Sequence, residues 1–307
     1  MQRFKNILLL ASNTTEMNET LERAVELAES NQAQLTVVDV LKEAPKKADP
    51  AGTSLPPSER EEMTPENRLE RLIAPIKDKG VRIDTKVLTG IPFIEIIRQV
   101  LKYKYDLVMK TAAGATGTKA MLFGSTALHL MRKCPCPVWI NKPIKHKRYT
   151  RIMAAVDPDT WHDTKARLNR VIMDLATSLA MRENSELHVV QAWSPYGENA
   201  LPDKATLFGN GEQGGEPEIH KRDMNELLES YRVKGLNPQV HLTEGNAEDV
   251  ILSVAREEHI ELIVMGTVGR VGIPGFFIGN TAEEVLRQID CSVLTVKPDG
   301  FVTPVTI

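Results

Sequence analysis

Short apolar runs alternate with longer amphipathic stretches along the whole chain, the pattern of a parallel sheet flanked by helices. The runs predict strands near residues 5–11, 34–40, 82–88, 106–110 and 137–141, and again near 150–156, 186–193, 237–243, 261–265 and 292–297. Helices are expected between them. Asn13 with Glu16, and Ser58 with Glu61, have the spacing of a capping box and predict helix starts near residues 14 and 59.

The two sets of strands belong to an internal repeat. Shifting residues 105–143 by 155 places them on 260–298 without a gap and superposes Gly114 on Gly269, Gly124 on Gly279, Thr126 on Thr281, Cys136 on Cys291 and Lys142 on Lys297. At the start of each copy, Asn6–Ser12 matches Arg151–Asp157 with an offset of 145. The second copy is therefore about ten residues longer. The Gly/Pro/Asn-rich stretch Ser194–Pro217 reads as a surface loop and is the expected place for the extra residues. The fold class that follows is α/β, with two tandem doubly wound domains, residues 1–145 and 149–307, each a five-stranded parallel sheet flanked by helices.

Composition narrows the setting. The 307 residues carry 38 basic and 41 acidic side chains, and 42% are hydrophobic, which excludes disordered and disulfide-stapled classes. No apolar run approaches the roughly 20 residues that a membrane-spanning helix needs, so no membrane partner is expected. Three cysteines fit a reducing, cytoplasmic compartment. Residues 1–150 hold 24 basic and 17 acidic groups, while the remainder holds 14 and 24. The opposed signs do not identify a partner. Without an arginine-rich tract interleaved with aromatics, nucleic acid is not expected either.

Ligands of open parallel sheets bind beyond the carboxyl ends of the strands, where helix N-termini offer free N–H groups to anions. In the second copy the run Leu262–Met265 leads into Gly266-Thr267-Val268-Gly269, and nine residues later Gly279-Asn280-Thr281 opens a helix. Glycines there would let the backbone approach phosphate oxygens and adopt the positive φ that turns N–H groups inward. The same glycines also serve as simple turns, with Asn280 or Thr281 as an ordinary N-cap. Arg270 is within reach of a terminal phosphate, and Phe276, Phe277 and Ile278 either pack under the loop or form an apolar surface.

These motifs, each closed by Cys-x-Val-x-x-x-Lys-Pro, resemble the universal stress protein family in its tandem two-domain form, over essentially the whole chain. Met265-Gly-Thr-Val-Gly-Arg270 and Gly279-Asn-Thr-Ala-Glu283 are similar to the E-type subclass. The resemblance implies strand order 3-2-1-4-5, dimerisation, no catalytic metal apparatus, and a site for ATP, with or without Mg. It implies that Gly266, Gly269, Arg270, Gly279, Asn280 and Thr281 hold ribose and phosphates, that Met265 ends the strand beneath, and that Asp157 and Ala192 contact the adenine. Asn280 departs from the family's usual Ser or Thr, although its amide still donates.

In the first copy Ser12 replaces the acidic residue and Thr111 replaces the first glycine, while Gly114, Gly124, Ser125 and Thr126 persist. A β-branched residue resists a positive φ at that point, so this copy is expected to bind nucleotide poorly. Lys110 and Lys119 beside the residual loop are candidates to attract an anion, against the ordinary reading of exposed loop lysines as solvated.

No catalytic residues emerge, since nucleophile-elbow, Walker and H-E-x-x-H patterns are all missing from the sequence. His188 and His241 fall on predicted strands and can meet in space, but no metal spacing surrounds them and no metal is expected. The expected function is a stress-response protein whose second domain binds ATP and modulates interactions. The alternatives are a nucleotide-independent dimerisation module with structural glycine loops, and a slow ATPase.

Overall fold

The computed structural model describes residues 4–12, 16–41, 64–77, 80–112, 123–144, 146–158, 163–194, 216–232, 237–268 and 278–307. They fall into two compact units. One runs up to Pro143 and takes in Phe301–Ile307 as well, and the other lies between Ile144 and Gly300. The last seven residues thus join the first unit, whereas the repeat alone leaves them with the second.

The first unit contains β1 (Asn6–Leu10), α1 (Met17–Asn31), β2 (Gln34–Leu41), α2 (Pro65–Ile73), β3 (Ile83–Thr89), α3 (Pro92–Tyr103), β4 (Leu107–Thr111), α4 (Ser125–Lys133) and β5 (Val138–Asn141). Its strands are parallel and ordered β3-β2-β1-β4-β5. Because helices cover the central strands, Ile7, Leu8, Leu9, Leu107, Val108 and Met109 are wholly buried, which explains the unbroken apolar runs. α1 buries Leu21, Ala24, Val25 and Ala28, spaced three and four apart along one face.

The first helix starts later than the capping-box spacing at Asn13 and Glu16 predicts, and the start predicted near residue 59 lies outside the described residues. α1 begins at Met17 with Glu16 as its N-cap and no side-chain cap, and Asn13 lies outside the described residues. α2 begins at Pro65, where the Thr64 side chain accepts a hydrogen bond from the Asn67 N–H at 3.3 Å. Threonine at the N-cap followed by proline at the first helical position accounts for this start. Ser58 and Glu61 lie outside the described residues.

The second unit contains β6 (Arg151–Ala155), α5 (Asp163–Glu183), β7 (Glu186–Trp193), α6 (Glu216–Arg232), β8 (Gln239–Glu244), α7 (Ala247–Glu257), β9 (Leu262–Gly266), α8 (Asn280–Gln288) and β10 (Ser292–Val296). The strands are again parallel, in the order β8-β7-β6-β9-β10. Strand register locates the extra residues of this copy. Asn6 pairs with Gln34 as Arg151 pairs with Glu186, so the offset rises from 145 at β1/β6 to 152 at β2/β7. It reaches 155 at β3/β8, where Thr36 pairs with Asp84 as His188 pairs with Gln239. Seven of the ten extra residues therefore enter before β7, mainly as the longer helix α5, which has 21 residues against 15 in α1. Only three enter between β7 and β8, so the 194–217 stretch is not the main insertion.

Candidate functional site

In the second unit β6 lies beside β9, and the connections after these two strands lead to opposite sides of the order, creating a crevice at their carboxyl ends. Asp157 sits just past β6. Its backbone is held by Asn169, whose amide oxygen accepts from the Asp157 N–H at 3.1 Å and whose Nδ2 donates to the Asp157 carbonyl at 2.6 Å. The carboxylate itself is exposed and pairs with the Lys165 ammonium at 2.9 Å. Asn169 and Lys165 are four residues apart on α5, so one helix face serves both contacts.

Across the crevice, β9 ends at Gly266 and is followed by Thr267, which is fully buried. The Gly279 N–H donates to the Thr267 carbonyl at 2.9 Å, which ties the start of α8 to the end of β9. The Lys297 ammonium donates to the Thr267 hydroxyl. α8 has Gly279 as its N-cap and therefore no side-chain cap bond from that residue to the N–H groups of its first turn. Asn280 is exposed there and Thr281 half-buried. Met265 is buried in β9, opposite Thr295 and Ala155, and Ala192 is half-buried in β7. Gly269, Arg270, Phe276 and Phe277 lie outside the described residues, and Ile278 is buried.

Neither Gly266 nor Gly279 adopts the positive φ expected of the motif. Gly266 is an ordinary strand residue and not one of the positive-φ glycines. A Cβ added to it would lie 2.9 Å from Leu168 Cδ2 and 3.8 Å from Ile172 Cδ1. The missing side chain makes room for α5. Gly124, at the helix start of the first unit, does need glycine, with φ +78 at the N-cap of α4, whereas its equivalent Gly279 has φ −62.

The first unit closes the corresponding place with polar groups. Thr111 is fully buried, and its hydroxyl donates to the Thr20 hydroxyl at 2.9 Å, which also accepts from Asn141 Nδ2 at 3.0 Å. By register Thr20 corresponds to Ile172 and Met17 to Asn169. The Ser12 hydroxyl correspondingly faces the Met17 sulfur at 3.7 Å, so the amide clamp of the second unit has a thioether in its place. Ser125 is exposed and Thr126 half-buried at the start of α4, and Gly114 and Lys119 lie outside the described residues. Lys110 turns to the backbone beside it. Its ammonium donates to the Thr111 carbonyl at 2.5 Å, and burial brings it down to about 8. Replacing Thr20 by Val keeps the shape but removes the oxygen that accepts from Thr111 and Asn141, leaving the Thr111 hydroxyl only the Met17 sulfur at 3.5 Å; a loss of about 1–3 kcal/mol in urea unfolding of the first unit is expected.

Sequence reasoning missed Lys165, Asn169, Thr267 and Lys297. The repeat flags one of them, since Lys297 matches Lys142, whose ammonium stands 5.4 Å over the Phe123 ring. The three cysteines are free, with Cys134 and Cys291 buried. Among the described residues, no helix is long and apolar enough to cross a membrane.

Comparison with known proteins gives the same arrangement twice. The family model described as "Universal stress protein family" matches residues 3–142 and again 148–297. Universal stress protein E of Escherichia coli K12 is 33% identical over 234 residues, spanning 74% of this chain and 72% of the relative. Universal stress protein E of Photorhabdus laumondii is 28% identical over 320 residues, 99% of this chain and 98% of the relative. The crystal structure of the functionally unknown protein PA1789 from Pseudomonas aeruginosa PAO1 superposes with a TM-score of 0.72 at 23% identity, covering 97% of this chain and 94% of that one. The two matched domains and the near full-length relatives together make the chain a member of the universal stress protein family, in tandem form and of the E type.

Proposed function

We propose that the chain is a cytoplasmic stress-response protein whose second unit binds ATP at the carboxyl ends of β6 and β9, and whose nucleotide state modulates its interactions with other chains, a homodimer partner among them. The observation that carries this reading is the start of α8. Its first turn, which has a glycine N-cap and no cap bond from that residue, is tethered to the end of β9 by the Gly279–Thr267 bond, at the crevice where the strand order reverses. The Lys165 and Lys297 ammonium groups stand on the two sides of that crevice and favour a polyanion. Asp157 offers a carboxylate to a base amine once Lys165 is drawn to phosphate. Gly269, Arg270, Asn280 and Thr281 would hold the phosphates, with Met265 and Ala192 bordering the base. Binding outweighs chemistry in this reading, because nothing among these groups is placed as a base for an attacking water, and any turnover of ATP is slow.

The competing reading is a nucleotide-independent interaction module. It draws support from Gly266, whose lack of a side chain is accounted for by Leu168 alone. Calorimetric titration with ATP, with and without Mg, decides between the two. Wild type is expected to bind one ATP per chain, Gly269→Val to lose binding, and Gly114→Val to keep it. Absence of heat in wild type, or equal heats in wild type and Gly269→Val, leaves the interaction module as the function.

A further inference from the structure

His188 and His241 meet. His188 is in β7 and is fully buried, and His241 is half-buried on the adjacent edge strand β8, two places further along in register. His188 Nδ1 lies 3.0 Å from His241 Nε2, and the ring planes differ by only 9°. Glu258 follows the last turn of α7, fixed there by its N–H bond to the Val254 carbonyl at 2.9 Å. Its carboxylate and the two imidazoles each present a ligand atom within 4.8 Å of the others. The cluster is near the amino-terminal ends of the strands, away from the crevice proposed for nucleotide.

A hydrogen bond alone accounts poorly for this pair. One proton between the rings fixes the tautomer of His188. If His188 Nδ1 donates, its Nε2 is a buried bare lone pair; if it accepts, its Nε2–H is buried without an acceptor. Among the described residues that Nε2 has no hydrogen-bond partner. The nearest acceptor is the Glu186 carboxylate, 3.8 Å away and engaged by Arg151 Nε at 3.0 Å. A cation in place of the shared proton would use both inner nitrogens at once, as ligands. It also fixes the proton of His188 on Nε2, with the Glu186 carboxylate 3.8 Å away as the nearest acceptor. A carboxylate behind a ligating histidine orients the ring and raises its basicity.

We propose that His188, His241 and Glu258 form a binding site for a divalent transition cation of the Zn2+ class. Two imidazoles and one carboxylate are a favourable donor set for Zn2+, and bonds of roughly 2.0–2.1 Å in tetrahedral geometry put the two nitrogens about 3.3 Å apart. The observed pair is within a few tenths of an ångström of that separation. Glu258 closes on the ion by turning its side chain at the surface, and water takes the fourth position. The bound ion staples β8, the edge strand of the unit, to β7 and to the end of α7.

The test is Zn2+ uptake by the full chain after metal stripping, measured by dialysis and elemental analysis. It is done on wild type, His241→Asn, Glu186→Gln and a Cys134→Ser/Cys136→Ser/Cys291→Ala variant that removes all three thiols. His241 is used because it is half-exposed and its replacement leaves the buried His188 in place; circular dichroism checks that the variant is folded. One tightly bound Zn2+ per chain is expected in wild type and in the thiol-free variant, none in His241→Asn, and binding weaker by roughly tenfold or more in Glu186→Gln. Co2+ in the same site is expected to give the intense visible absorption of a tetrahedral ion without a thiolate charge-transfer band. Equal uptake by wild type and His241→Asn, no uptake in wild type, or loss of uptake in the thiol-free variant overturns the proposal. None of these outcomes bears on ATP titration, so the two readings fail separately.

Discussion

Replacing Lys110 by Met, the residue that the second copy carries at the same place, is expected to stabilise the first unit by about 2–3 kcal/mol at pH 7. Lys110 lies in β4, between Leu10 of β1 and Ile140 of β5, and its ammonium is desolvated enough to titrate at about 8. An ordinary lysine holds its proton to about 10.4. Below pH 8 both folded and unfolded chains are protonated at this site, and the folded chain carries the full desolvation cost. Between about 8 and 10.4 the unfolded chain keeps a proton that the folded chain has released, so unfolding takes one up and stability rises with pH. Wild type should therefore gain stability from Lys110 across that window, and Lys110→Met should lack this contribution. Urea unfolding at pH 7, 8.5 and 10, followed by Trp139 fluorescence in a Trp161→Phe/Trp193→Phe background, measures the difference. A variant no more stable than wild type at pH 7 would show that the ammonium is solvated in the folded chain.

The second large effect is expected from Gly266→Thr, which gives the second unit the residue of the first. The new Cβ comes within 2.9 Å of Leu168 Cδ2, and the branched side chain also meets Ile172. Overpacking of this kind costs about 1–3 kcal/mol. The hydroxyl would further be buried against Leu168 and Ile172, with no counterpart of the Thr20 hydroxyl to receive it. Gly266→Ala is milder, because the Leu168 methyl end can turn aside. Denaturant unfolding with hydrogen exchange at the β6 and β9 amides gives both values. Equal stability of Gly266→Thr and wild type would show that α5 moves freely away from the strand.

The strands were legible because helices cover both faces of each sheet and leave the central runs continuously apolar. Each predicted strand falls within two residues of an observed one, β1 at Asn6–Leu10 and β7 at Glu186–Trp193 among them. Helix starts were less legible. Asn13 and Glu16 have the right spacing, yet spacing cannot tell which residue leaves the helical φ, and α1 begins with Glu16 as its N-cap. At the candidate site, the motif residues after β9 and before α8 were visible as glycines at a strand end and a helix start. Their reasons were not. Whether Gly266 faces a ligand or Leu168 depends on how closely α5 sits on β9, a distance that no local pattern encodes. The His188–His241 contact depends on the register of β7 against β8, which the intervening stretch does not fix.

The seven residues that enter before β7 bear on how the two copies can be exchanged. Because Met17 stands where Asn169 does, the part of α5 ahead of Asn169 has no counterpart in the first unit, and that part carries both Lys165 and Leu168. Point changes such as Ser12→Asp with Thr111→Gly would restore the letters of the motif but not the scaffold that steadies them. Divergence of the duplicated halves is thus written in helix length as well as in side chains, and reviving the first half would require splicing in two helical turns.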